Sequence, residues 1–86
     1  MANQNNSEII ALKNAKESGF YKIAEIVNRL LALKLMEMGC SKGMTIQKIS
    51  SAPVHGPIVI KVFPNENLLA LRTEDATDIL LTQIEN

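Results

Sequence analysis

The stretch "PIVIKVFPNENLLALRTEDATDILLTQI" (Pro57–Ile84) decides the fold of this sequence. Pro57–Phe63 is apolar and rich in β-branched residues, which suits a strand. Pro64–Asn67 is a turn, with a proline preset for the first central position. Leu68–Arg72 makes another strand. Thr73–Thr77 reads as one helical turn, capped by Thr73, with Glu74 and Asp75 at the positive end of its dipole. Asp78–Ile84 closes as a last strand. Short strands at this spacing point to a small barrel or sandwich and away from a parallel βαβ sheet.

Working outward, "MTIQKISS" (Met44–Ser51) is a further strand with imperfect alternation, reached through a turn at Ser41–Gly43. Upstream, Asn28 to Gly39 carries helical punctuation. Asn28 can accept from an early orphan amide, and Gly39 can take the left-handed conformation just past the end. At about 100° per residue, Leu31, Leu35 and Met38 share one stripe, with Ala32 beside it. Leu30, Leu33 and Met36 lie on the other half, among Arg29, Lys34 and Glu37. That second set is either an exposed apolar patch or a surface covered by "EIIAL" (Glu8–Leu12). Phe20–Val27 has strand composition. Ile9, Ile10 and Leu12 fit an edge strand or a short helical turn. Residues 1–7 are polar and read as a flexible tail. The expectation is a mainly β domain over residues 8–86, a small five-stranded barrel with one helix covering an open end.

The totals narrow the function. A chain of 86 residues holds one domain. It is 47% hydrophobic but only 3% aromatic, so Leu, Ile, Val and Met build the core. Nucleic-acid platforms and proline-peptide grooves usually need more aromatic faces. Nine basic residues balance nine acidic ones, so no net charge draws the chain to a phosphate backbone or an anionic membrane. A single cysteine, Cys40, makes no internal disulfide and fits a reducing compartment. "MANQNNSE" carries no secretory pattern, and "LLALKLMEM" is too short and too charged to span a bilayer. The expectation is a cytoplasmic protein with no direct membrane insertion.

Little in the sequence is reactive. Cys40 and His55 form the sole nucleophile–base pair, and the simpler account is a packed cysteine and a solvated loop histidine. Gly39 and Gly43 lack the lysine and hydroxyl of a phosphate loop. His55, Cys40, Asp75 and Asp78 show no metal-ligand spacing. His55 is a weak candidate ligand, and no resident cofactor is expected beyond weak binding of Fe²⁺ or another divalent transition metal. In "SAPVHGP" (Ser51–Pro57) the prolines stiffen a loop that enters a strand. Arg72 pairs with Glu74 or Asp75, or reaches a partner.

At "KLMEMGCSKGMTI" (Lys34–Ile46), "APVHGP" (Ala52–Pro57) and "LALRTEDATDILL" (Leu69–Leu81) the chain resembles the FeoA family, small cytoplasmic companions of the bacterial ferrous-iron transporter FeoB. The family pattern is a helix ending in Arg-Leu-Leu-Glu-Leu-Gly, a Pro-Gly turn, a strand, an Ala-Pro-x-Gly-x-Pro loop, and Leu-Ala-Leu-Arg before an alanine and a final strand. Lys34 to Gly39, Gly43, Pro53, Pro57, Leu69 to Arg72, Ala76 and Ile79 match it. Lys42, Cys40 and His55 depart from it. The resemblance implies an SH3-like β-barrel and an adaptor that binds the cytoplasmic region of FeoB. It also implies an alternative, a metal-sensing domain of the kind found at the C-terminus of metal-dependent repressors. The partner-facing candidates are Leu30, Leu33, Met36 and Arg72. No catalytic residues are expected of the chain itself, although Arg72 or Arg29 reaching the nucleotide of FeoB is a further possibility under this resemblance.

Overall fold

A computed structural model describes residues 8–51 and 56–84. The expected tail over residues 1–7, Pro53 and His55 lie outside the described residues. The elements run β1 (Ile9–Ala11), a 3-10 turn (Leu12–Asn14), β2 (Phe20–Ile26), α1 (Arg29–Glu37), β3 (Thr45–Ser51), β4 (Ile58–Val62), β5 (Asn67–Leu71), α2 (Thr73–Thr77) and β6 (Ile79–Gln83). All six strands join one antiparallel sheet in the order β1-β6-β2-β3-β4-β5.

Six strands replace the five expected, because the ambiguous N-terminal segment is both of its alternatives in turn. Ile9–Ala11 pairs with β6, then the chain coils and drives Leu12 fully into the core. Glu8–Leu12 therefore lies along the sheet edge, not over the outer face of α1.

The strands bury alternate residues, and the lapses coincide with bulges. In β2, Tyr21 and Ile23 point inward, the register shifts between Ile23 and Glu25, and Ile26 becomes the next inward residue. In β3, Ile46 and Lys48 point inward and Ile49 outward, and the shift between Lys48 and Ser50 leaves Ser50, next in turn to face the core, exposed. One extra residue in a strand reverses the faces that follow. Ile58, Ile60 and Val62 of β4 and Ile79 and Leu81 of β6 complete the inward set. Leu31 and Leu35 of α1 join the same core, with Cys40, Leu71 and Ala76.

Helix α1 starts and stops on its own side chains and turns. The Asn28 Oδ1 accepts from the Leu31 amide at 3.0 Å. Gly39, with φ of 84°, ends it: the amide of Cys40 donates to Leu35 O at 2.8 Å and that of Gly39 to Met36 O at 3.1 Å. This pair of bonds satisfies two orphan carbonyls at once. Met38, expected on the buried stripe, is the C-cap and stays 38% exposed. A second correction concerns Thr73. It is the first helical residue of α2 and caps nothing; its hydroxyl donates to Gly56 O at 3.2 Å, tying α2 to the end of the proline loop.

A charged group sits in the core. Lys48 is 3% exposed and points inward from β3. Its ammonium donates to the carbonyls of Ala15 at 2.8 Å and of Leu12 and Lys13 at 3.3 Å. Leu12 O already accepts from the Ala15 amide at 3.0 Å, and Lys48 adds a donor to it and to the carbonyls of Lys13 and Ala15 at the end of the 3-10 turn.

Candidate partner-binding face

The two sides of α1 have opposite fates. Leu31 and Leu35 fill the core, while Leu30, Leu33 and Met36 are 78%, 49% and 56% exposed. Three large apolar side chains on one face of a nine-residue helix make a contiguous patch of the kind that marks interaction sites. The helix is held rigidly enough to present it. Asn28 caps α1 and also donates through Nδ2 to Asp78 Oδ2 at 3.4 Å, while the Val27 amide donates to Asp78 O at 2.9 Å. The start of α1 is thus joined to the end of α2.

Arg72 lies beside this helix. It lines a groove of about 240 Å³ with Asn28, Leu30, Leu31, Lys34 and Asp75. A smaller groove of about 150 Å³ continues past Lys34 to Met38 and Ala70. Arg72 makes two bonds to Asp75, Nε to Oδ2 and Nη2 to Oδ1, each 3.3 Å. The hydrogen bonds to Asp75, and its charge, hold the guanidinium even more firmly protonated than usual. Of the four partner-facing candidates, the fold brings Leu30 and Arg72 to one groove. Leu33 and Met36 continue around the helix away from it.

A wider cleft of about 630 Å³ opens between the Lys16–Tyr21 segment, Thr45 and Gln83, and it gathers none of the sequence-predicted residues. Among the described residues no three His, Cys, Asp or Glu side chains converge to hold a metal ion. Cys40 is fully buried, and burial pushes its thiol up to about 11. A thiol that stays protonated at neutral pH is neither a nucleophile nor a ready metal ligand. Among the described residues no helix is long and apolar enough to cross a membrane.

Two surface features escaped sequence reading. Phe20 and Phe63 pack together with their rings tilted at 39° and centroids 5.8 Å apart. Leu68 on the edge strand β5 is 62% exposed. Both come from residues far apart in the chain or from edge position, which local patterning does not reveal.

The fold as a whole has counterparts among known proteins. The model of the FeoA domain matches residues 10–83. The chain belongs to the FeoA domain family. Among solved structures, a crystal structure of an iron uptake regulatory protein (FeoA) superposes with a TM-score of 0.77 at 24% identity, over 90% of this chain and 100% of that one. A FeoA-like protein from Clostridium acetobutylicum gives 0.76 at 26% identity, over 96% and 93%. ScaR with bound Zn²⁺ gives 0.76 at 25% identity, over 87% of this chain but 37% of that chain. No curated protein matches the sequence significantly. The SH3-like fold of FeoA proteins is therefore the fold of this FeoA-domain chain.

Proposed function

We propose that this FeoA-domain protein is an accessory or regulator of ferrous iron uptake, a small cytoplasmic adaptor that binds the cytoplasmic region of a FeoB-type transporter. The family membership supports the process, and the exposed leucine face of α1 supports docking as the mode of action. The carrying observation is that Leu30, Leu33 and Met36 stand out from a helix whose inner side is already committed to the core. Leu33 contributes the central apolar contact, with Leu30 and Met36 around it. Arg72, pre-oriented by Asp75, contributes a fixed positive edge. The protein itself performs no chemistry in this reading.

Co-purification of the tagged protein with FeoB tests it. Leu33→Glu should lower capture at least about tenfold, because a carboxylate then faces the apolar contact. The fold stays intact, since Leu33 is on the surface. Unchanged capture shows that this face does not bind FeoB.

A second reading is metal sensing, favoured by the likeness to ScaR with bound Zn²⁺. A divalent ion held by His55 and a carboxylate would alter partner affinity. Calorimetric titration with Fe²⁺ or Mn²⁺, with His55→Ala as control, decides it; a flat trace in the unmodified protein ends this reading.

A further inference from the structure

The outer face of α1 has a pattern that an apolar patch alone does not require. Arg29, Leu33 and Glu37 lie four residues apart and form one ridge along the helix. Leu33 is its centre, with a base at one end and an acid at the other. Leu30 flanks the ridge on one side and Met36 on the other, each about 60° from Leu33 at 100° per residue. The face is therefore related to itself by reversal of direction.

The charges are also placed against the helix's own field. Arg29 is the first helical residue and Glu37 the last, whereas a helix favours acids at its start and bases at its end. Among the described residues neither is in an ion pair. An antiparallel neighbour reverses both penalties. It brings its acidic, negative helix end to Arg29 and its basic, positive end to Glu37.

We propose that the exposed face of α1 pairs with the same face of a second copy of this chain, antiparallel, about a two-fold axis at Leu33. The two i, i+4 ridges align when the helices cross at about −50°, the commonest angle for helix packing. Leu33 then lies beside its copy at the centre. Arg29 meets Glu37 of the partner subunit at both ends. Leu30 and Met36 each meet their own counterparts on the two flanks. The interface is isologous, so it closes at two copies and does not propagate.

Nine residues span only about 13 Å of helix. The contact is smaller than a standard interface, and the dimer is correspondingly weak, with a Kd of roughly 10–1000 μM. Because the face is also the proposed FeoB-facing surface, a dimer is closed to the transporter, and the monomer is the docking form. The pairing itself does not depend on that reading.

Sedimentation velocity on the full chain at rising concentration tests the proposal. The mass should climb from that of the 9.5 kDa monomer towards twice that value. R29E and E37R should each weaken association at least about tenfold, since each brings like charges together. The double variant R29E/E37R should recover to within about threefold of the unmodified protein, and Leu33→Asp should abolish pairing. Circular dichroism of each variant checks that the fold is kept. A monomer up to about 1 mM overturns the proposal. Association indifferent to either single charge change, or not rescued by the double change, overturns it equally. Failure here leaves FeoB capture and its loss in Leu33→Glu unaffected, so the two readings fail separately.

Discussion

Lys48 and Cys40 show how much of this small core depends on single polar atoms. The Lys48 ammonium serves three carbonyls of one turn, and burial lowers its pKa, opposed by the nearby Glu17. Lys48→Met should therefore cost about 1–3 kcal/mol, because the carbonyls lose their donor while the volume stays similar. For a domain of this size that lowers Tm by several degrees, roughly 4–8 °C per kcal/mol, in a thermal melt. Cys40 acts on pH dependence. Its thiol is raised from 9.0 to about 11 in the folded chain. Below pH 9 both states keep the proton, and the group adds no pH slope. Between pH 9 and 11 the unfolded thiol ionises while the folded one does not, so stability falls as pH rises. The loss approaches roughly 2–3 kcal/mol at 1.36 kcal/mol per unit. Lys48 works in the opposite sense just below its ordinary value, so the comparison must isolate the cysteine. Denaturant midpoints at pH 8 and pH 10.5 should drop more in the unmodified protein than in Cys40→Ala. Equal drops would sink the assignment. The packing of Cys40 was legible in the sequence, whereas the role of Lys48 was not. A lysine at an inward strand position makes sense only once the 3-10 turn is seen to end above it, 33 to 36 residues away along the chain.

Elements differ in how far local chemistry determines them. Helix α1 was legible because its signals are local: an asparagine cap, a buried Leu31–Leu35 stripe and a glycine past its end. Asn28→Ala should cost about 1 kcal/mol from the lost cap, and more because the bond to Asp78 goes too. Asn28→Asp keeps the cap oxygen but sets a carboxylate against Asp78, so it should recover only part of the loss in chemical denaturation. Gly39→Ala is strained twice. Its φ is 84°, and a Cβ there would sit 3.2 Å from Asn67 Nδ2. A cost of at least about 1 kcal/mol is expected. Strand β1 was not legible, since three residues carry too little pattern and its partner β6 lies some seventy positions away. The bulges in β2 and β3 hid alternation for the same reason: a register shift is a property of the pair. The outward half of α1 could be listed from the sequence, but not its exposure, because a covering segment was equally compatible with the pattern.

At the scale of the molecule, the core is thin and shared. Leu12, outside any long element, is fully buried in the core cluster, in a turn that packs on α2 and β6. Leu12→Ala should cost about 2–5 kcal/mol, a large part of the stability a domain of this size possesses. A urea titration would show a midpoint near zero denaturant at the upper end of that range. The strand order adds a consequence for the chain as it is made. Strand β6, the last of the six described strands along the chain, lies between β1 and β2, the first two of them. Until Ile79–Gln83 has left the ribosome, β1 has no strand beside it and β2 has only β3, so their inward side chains wait partly uncovered. A chain stopped at Thr77 should remain unfolded by circular dichroism, and its aggregation should be the hazard that sets the yield of this protein in the cell.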